Sequence, residues 1–441
     1  MEVPVKREDC EVAIKTYLNS SHFVLKDYQV RPLSDNAAGF MGTHLKLTAT
    51  VEHEGQLRKI PMFVKMIPSS DKHRSLVVSL NLFDQEVRVY NDFVPKFISY
   101  LPRETKLPVA KCYFTRGTGP ETGKFSSSAT GEKEIIILED LAATGYRLRE
   151  NFPPMDVPHC RAVLKSLAIY HAGSILLEES YRKSHTGEFD PQSDIFTGIK
   201  ETFLVRQDGH HGYECIKFDA ESMATAALIM WPEKFEGVSR ETILKAVMDM
   251  WDTSIEMAEP STTYCNVLCH GDPWTNNIMF SYEKDELGQE VPLDAILLDL
   301  QVARYAPPVL DIILFLYVCT RRDLRERHLK DFIKFYHDTL AEYAPKEYIE
   351  RVLPFERLLE MYDHYLDFGI IMCTGYHPII LSENDPLIAK GGRLENPVNI
   401  EESMFCDRGE QIARNCAKSE SYREWITGSF QECFERLNLW K

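Results

Sequence analysis

The sequence predicts an α+β fold in two lobes, a small antiparallel sheet followed by a larger, mainly helical part. Three observations predict it. Alternating or apolar runs at 45–51, 60–67, 109–115 and 134–138 read as strands, and all precede residue 141. After Pro153-Pro154 the pattern turns helical, with Leu164, Leu167, Ala168, His171 and Ile175 on one face. Between these helices and those of the C-terminal third, a polar cluster at 270–277 is bracketed by short apolar runs. A length of 441 residues with 44% hydrophobic content is ample for a core and suggests two lobes.

Residues 8–30 carry a helical pattern through Val12, Ala13, Tyr17 and Leu18, then a short apolar run. Residues 33–43 form a Gly-bearing turn before the strand at 45–51. Such a turn lets backbone N–H groups meet a nucleotide phosphate, which makes Asn36, Gly39 and Gly42 candidates. The glycines do not form a Gly-x-Gly-x-x-Gly motif, and an ordinary hairpin turn reads the same way. The strand at 60–67 holds one lysine, Lys65, among Phe63, Val64, Met66 and Ile67. Strand lysines are usually solvated edge residues, and these neighbours argue against an edge. The helix-like segment 80–97 carries Phe83, Val87 and Tyr90 near one stripe, with Glu86 beside them. A Lys–Glu pair between a strand and a packed helix is the arrangement that holds a lysine on α/β-phosphates. The bland alternative is a surface glutamate. The Gly/Ser/Thr-rich stretch 117–133 reads as a hairpin tip without chemistry. The last strand ends at Glu139-Asp140-Leu141, where an extended segment hands over to helices. This divides the chain into lobes at 1–141 and 142–441.

In the second lobe, His171 reads as a buried, hydrogen-bonded structural histidine. Residues 185–236 lack long periodic runs, and Gly209-His-His-Gly212 reads as loop, not metal site. Ser239 and Glu241 mark the start of a helix running to about Met257. Asp311 either caps the helix at 312–320 or braces the loop at 270–277. Asp367-Phe-Gly369 lies inside the helix-like run 358–373 with no strand to deliver it, and is expected to be helical packing.

The chemistry concentrates at His270-Gly-Asp-Pro-Trp-Thr-Asn-Asn277 and at Asp299 in Leu-Leu-Asp-Leu-Gln. A carboxylate and a carboxamide five residues apart on a tight loop, then a second carboxylate ending an apolar strand, suit Mg-nucleotide phosphoryl transfer. Asp272 can accept the proton of an attacking hydroxyl. Asn277 and Asp299 offer hard oxygen ligands to Mg²⁺. The charged segment 281–294 between two apolar runs reads as a hairpin that returns Asp299 beside Asn277.

His270-Gly-Asp272-x-Trp274-x-x-Asn277 with Asp299-x-Gln301 resembles the choline- and aminoglycoside-kinase superfamily, and is most similar to the ecdysteroid kinase-like family. The His171-Ala-x-Ser174 string recurs in that family's pattern, and the resemblance runs with weaker motifs from about residue 30 to about 430. It implies a two-lobe protein-kinase-like fold with ATP and Mg²⁺ as cofactors. It implies a hinge at Glu139 and Leu141 that pairs with adenine through backbone groups. The implied reaction moves the γ-phosphoryl group to a hydroxyl of a lipophilic alcohol such as an ecdysteroid. Residues 360–380, with Tyr362, Tyr365, Phe368, Ile370, Ile371, Met372 and Tyr376, either line an apolar cleft or are core. Two rivals remain, a choline-, ethanolamine- or aminoglycoside-type kinase and a catalytically silent nucleotide-binding scaffold. All five catalytic positions are present, which argues against the second.

A net charge of −17 argues against nucleic-acid binding. The N-terminus is too charged for a signal peptide, and the run 312–319 is far short of a membrane span. Eleven scattered cysteines fit free thiols in a cytoplasmic protein. Cys265 and Cys269 precede His270, but no second ligand pair follows at finger spacing, so zinc is not expected. The sequence is silent on oligomeric state.

Overall fold

A computed structural model of the chain describes residues 5–33, 42–68, 71–117, 134–149, 152–384 and 405–441. Helix α1 (Arg7–Leu18) precedes a five-stranded sheet of β1 (Val24–Pro32), β2 (Thr43–His53), β3 (Gln56–Met66), β4 (Cys112–Arg116) and β5 (Ile135–Glu139). Its order is β1-β2-β3-β5-β4, with every neighbouring pair antiparallel. The period of two along each strand decides what each face does. Leu45, Leu47, Ala49 and Val51 of β2 share one core with Ile60, Met62 and Val64 of β3 and with Cys10, Ala13 and Ile14 of α1. Val12 and Tyr17, expected on the inner face of α1, are exposed, because the stripe that packs on the sheet is the 10-13-14 one. Phe63 and Lys65 have the opposite parity on β3. They join the side where Ile136 and Leu138 of β5 merge into the large core of the helical part.

The helix expected at 80–97 forms as one helical run over 82–100 with a π-helical turn inside it. After α2 (Asp71–Ser79) come α3 (Leu82–Arg88), a π-helical turn (Val89–Phe93) and α4 (Val94–Tyr100). Pro95 stands in the first turn of α4. A proline has no N–H to continue the i→i−4 ladder, which accounts for a wider turn just before it.

The remainder is mainly helical: α5 (Val157–Ser184), α6 (Pro191–Asp194), α7 (His211–Met230), α8 (Arg240–Met257), α9 (Val309–Cys319), α10 (Arg322–Tyr343), α11 (Lys346–Val352), α12 (Phe355–His364), α13 (Leu366–Asn384), α14 (Gly409–Lys418) and α15 (Glu420–Arg436). Two short antiparallel pairs lie among them, β6 (Val267–Cys269) with β9 (Arg304–Ala306) and β7 (Ile278–Lys284) with β8 (Glu290–Leu297). Ser239 caps α8 as expected, its hydroxyl accepting the Thr242 N–H at 3.2 Å. Helix α7 runs through much of 185–236, a stretch without long periodic runs, and takes in His211 and Gly212, which read as loop. Its buried face is built largely of small residues, with Gly212, Ala220, Ser222, Ala224, Ala226 and Ala227 among them. A periodicity that looks for large apolar residues passes over such a face.

The run 358–373 is not one helix but breaks at Tyr365 between α12 and α13. Tyr362, Tyr365, Phe368, Ile370, Ile371 and Met372 are all buried in the core, so they do not line a cleft. Asp367 is helical, as expected, and pairs with Arg436 at 2.6 Å. No helix among the described residues is long and apolar enough to cross a membrane.

Candidate active site

Three elements deliver three charged groups to one point. Lys65 leaves β3 toward α3, which presents Glu86. The Lys65 Nζ lies 2.6 Å from Glu86 Oε2 and 2.7 Å from Asp299 Oδ1, just past the end of β8. Lys65 and Glu86 are almost wholly buried, whereas the Asp299 side chain keeps a quarter of its surface. Burial disfavours the Lys65 ammonium, but the Asp299 and Glu86 carboxylates outweigh it and hold the lysine above its ordinary range. Burial pushes the Glu86 carboxyl up, against the opposing pull of Lys65. Two buried ions cost several kcal/mol each unless paired this closely. Asp299 has φ +65°, a left-handed backbone that costs a residue with a Cβ about 1–2 kcal/mol. This turn follows the hairpin in which Ile278 pairs with Leu297 and the Leu298 N–H donates to the Asn277 carbonyl at 2.8 Å. The hairpin thus returns Asp299 beside Asn277, as the sequence pattern implied.

The loop after β6 is held from behind. Asp311 sits in the first turn of α9 but does not cap it. Its carboxylate accepts the backbone N–H groups of His270 at 2.6 Å and Gly271 at 2.9 Å, with His171 Nε2 at 3.0 Å. Asp311 is therefore the brace of the two alternatives. His171 also meets the Tyr336 hydroxyl at 2.8 Å, which satisfies both ring nitrogens in the core. Gly271 has φ +87°, and a Cβ there would lie 2.1 Å from the Val302 carbonyl oxygen, so only glycine fits. His270 Nε2 bonds the Leu298 carbonyl at 2.8 Å, and its Nδ1 accepts the Asp272 N–H at 3.2 Å. That pattern requires a neutral ring, and burial holds its pKa down.

Asp272 is clasped from three sides. Its Oδ2 accepts from Asn277 Nδ2 at 2.8 Å and from Trp274 Nε1 at 3.1 Å, and its Oδ1 accepts from the Tyr376 hydroxyl of α13 at 2.6 Å. Burial pushes its carboxyl up to about 7, against the hydrogen bond from Tyr376. Because Asn277 uses its amide nitrogen on Asp272, its side-chain carbonyl oxygen faces no such demand. Arg304 of β9 completes the support. It is buried, pairs with Glu201 at 2.9 Å and donates to the Gly271 carbonyl at 3.1 Å.

Gly42 stands over Lys65, where a Cβ would lie 3.3 Å from Lys65 Cε. Asn36 and Gly39 lie outside the described residues. Glu139 ends β5 and Leu141 begins a 3-10 turn, with Asp140 between them accepting the Ala143 N–H at 3.3 Å and pairing with Lys46 at 3.0 Å. The side chain at 140 is thus spent on the turn.

The ecdysteroid kinase-like family matches residues 36–346. The chain belongs to that family. Membership places it in the kinase-like superfamily of small-molecule phosphotransferases. Among solved structures, one similar chain is the aminoglycoside phosphotransferase APH(3'')-Id from Streptomyces rimosus ATCC10970 in complex with ADP and streptomycin. It is 13% identical, with 78% of this chain and 92% of that chain covered and a TM-score of 0.31. No curated protein matches the chain.

Around Asp272, sequence reasoning missed Arg304 and Glu201, and it read Tyr376 as cleft or core, not as a partner of Asp272. Arg304 had a readable signal, a lone arginine in the otherwise apolar and aromatic stretch 302–306, much as Lys65 stands out in β3. Tyr376 had none that separates it from its aromatic neighbours, since its contact is made across 104 residues.

Proposed function

We propose that this chain is an ATP- and Mg²⁺-dependent phosphotransferase acting on the hydroxyl of a lipophilic alcohol of the ecdysteroid kind. Residues 1–141 hold the nucleotide, and 142–441 carry the catalytic loop and the acceptor. The observation that carries the reading is the meeting of Lys65, Glu86 and Asp299 at 2.6 and 2.7 Å. A lysine, a helix glutamate and a second aspartate so placed are the parts that phosphoryl transfer needs.

The donor chemistry fits the proposed cofactors. Asn277 keeps its carbonyl oxygen and Asp299 its Oδ2, both hard oxygens of the kind Mg²⁺ takes together with phosphate and water. Lys65 supplies positive charge in a chain whose net charge is −17. Gly42 lets the main chain approach Lys65 closely, where a Cβ would crowd the lysine stem, and the junction at Glu139 and Leu141 offers main-chain groups for adenine. Bound Mg-ATP would supply the phosphoryl group and neutralise its developing charge.

Asp272 orients the acceptor hydroxyl and takes its proton. A base with a pKa near 7 is matched to neutral pH, where it is ionised often enough and still basic enough. Tyr376, Trp274 and Asn277 fix its direction. Support for an ecdysteroid-like acceptor comes from the family, since six of the seven aromatic and apolar residues of 360–380 are core. A cytoplasmic location is part of the proposal.

The test is a thermal shift with Mg-ATP, followed by mass-spectrometric detection of phosphate transfer to ecdysteroids, choline, ethanolamine and sugar alcohols. The expected result is stabilisation by Mg-ATP and at least tenfold higher kcat/KM for the ecdysteroids. A tenfold preference for choline or ethanolamine overturns the acceptor assignment. Nucleotide binding without transfer to any acceptor overturns the enzymatic one.

A further inference from the structure

Glu86 lies near the start of the helical run 82–100, which opens at the left-handed Asn81 and contains the π-helical turn Val89–Phe93. The neighbouring residue tethers this end of the run. Gln85 is buried, and its Nε2 donates to the carbonyl oxygens of Gln301 at 3.2 Å and Ala303 at 2.9 Å. Its Oε1 accepts the Lys200 N–H at 3.3 Å. One side chain therefore ties α3 to the segment just after Asp299 and to a loop of the helical part. Arg88, one turn on, donates to the Thr197 carbonyl at 3.2 Å and anchors the same loop. The parts of a phosphoryl-transfer site work only when the Lys–Glu pair and the Mg-binding aspartate are in place together. In this chain Gln85 spans the Glu86 helix and the Asp299 segment directly.

We propose that Gln85 is a positioning residue that locks α3 against residues 301–303, so that Glu86 and Asp299 meet Lys65 in a fixed, permanently assembled geometry. The inference rests on the nucleotide-binding reading above. It goes beyond that reading by assigning the alignment to a neutral side chain that touches neither Lys65 nor any group given a chemical role. The lock consists of hydrogen bonds within one chain, so it needs no added charge on either segment.

The test is a double-mutant cycle in Mg-ATP affinity, measured by isothermal titration calorimetry on the full-length chain. The proteins are wild type, Gln85→Leu, Glu86→Ala and the double variant. If Gln85 acts through Glu86, Gln85→Leu weakens Mg-ATP binding about tenfold in the wild-type background and less than about twofold when Glu86 is already alanine. A purely structural role lowers thermal stability but weakens Mg-ATP equally in both backgrounds, and that result overturns the proposal. So does unchanged affinity in Gln85→Leu. If Gln85→Leu does not fold, Gln85→Met keeps an unbranched chain of similar length without the donor and is expected to give the same pattern. Wild-type protein that fails to bind Mg-ATP removes the underlying nucleotide reading, an outcome distinct from equal weakening in both backgrounds.

Discussion

Replacing Asp272 by asparagine is expected to remove activity and to stabilise the fold above neutral pH. Turnover should drop by about 10²–10⁴-fold, the usual contribution of a positioned general base. The stability effect follows from burial, which pushes the folded-state carboxyl up to about 7, whereas an unfolded aspartate titrates near 4. A raised folded pKa means that the contribution of Asp272 to stability is intact below about pH 4. It is lost progressively as pH rises to about 7, and is constant beyond. Asparagine carries no charge and escapes this loss. Its carbonyl can accept from Trp274 and Asn277 while its amide donates to the Tyr376 oxygen, so the clasp survives. Between pH 5.5 and 8 the advantage of the variant should grow by about 1.5 pK units, or about 2 kcal/mol. For 441 residues the unfolding entropy is roughly 0.9 kcal/mol/K, which converts this to about 2 °C. Differential scanning fluorimetry without nucleotide at the two pH values measures it. A variant whose Tm advantage does not grow between pH 5.5 and 8 refutes the raised carboxyl. Turnover above about a third of wild type refutes the base role.

Three further outcomes are expected. Lys65→Met leaves Glu86 buried without its partner and should cost about 3–5 kcal/mol, whereas Lys65→Met with Glu86→Leu should recover most of that stability and neither should turn over; thermal melts and a transfer assay check both halves. Asp299→Ala should nearly abolish turnover, whereas Asp367→Ala removes only a solvent-facing pair with Arg436, worth less than about 1 kcal/mol, and should stay active. Gly271→Ala forces a Cβ against the Val302 carbonyl in a left-handed backbone and should destabilise by more than about 2 kcal/mol, read as a lower Tm and soluble yield.

How much of this was legible in the sequence depends on the range of the interaction. The sheet was readable because strand burial alternates with a period of two, and Lys65 stood out as a charge in an apolar strand. Asp272, Asn277 and Asp299 were readable because a tight turn and a hairpin place them by local geometry. Their supports were not. Tyr376 reaches Asp272 across 104 residues and Gln85 reaches Ala303 across 218, and no local pattern encodes such pairings. Helix α7 escaped notice because alanine, serine and glycine build much of its buried face. The aromatic residues before Tyr376 left two readings open, since core and cleft use the same side chains and only packing against α9 separates them. That packing is visible at Gly369, where a Cβ would lie 2.1 Å from Ile313.

The most direct test of the account is transfer of the γ-phosphoryl label of Mg-[γ-³²P]ATP to an ecdysteroid alcohol, run in parallel with wild type and Asp272→Asn. The account predicts a labelled phosphate ester from wild type and a loss of at least a hundredfold in the variant, with Mg-ATP affinity kept within about threefold. Equal label transfer by the two proteins, or none from a wild type that binds Mg-ATP tightly, would contradict it.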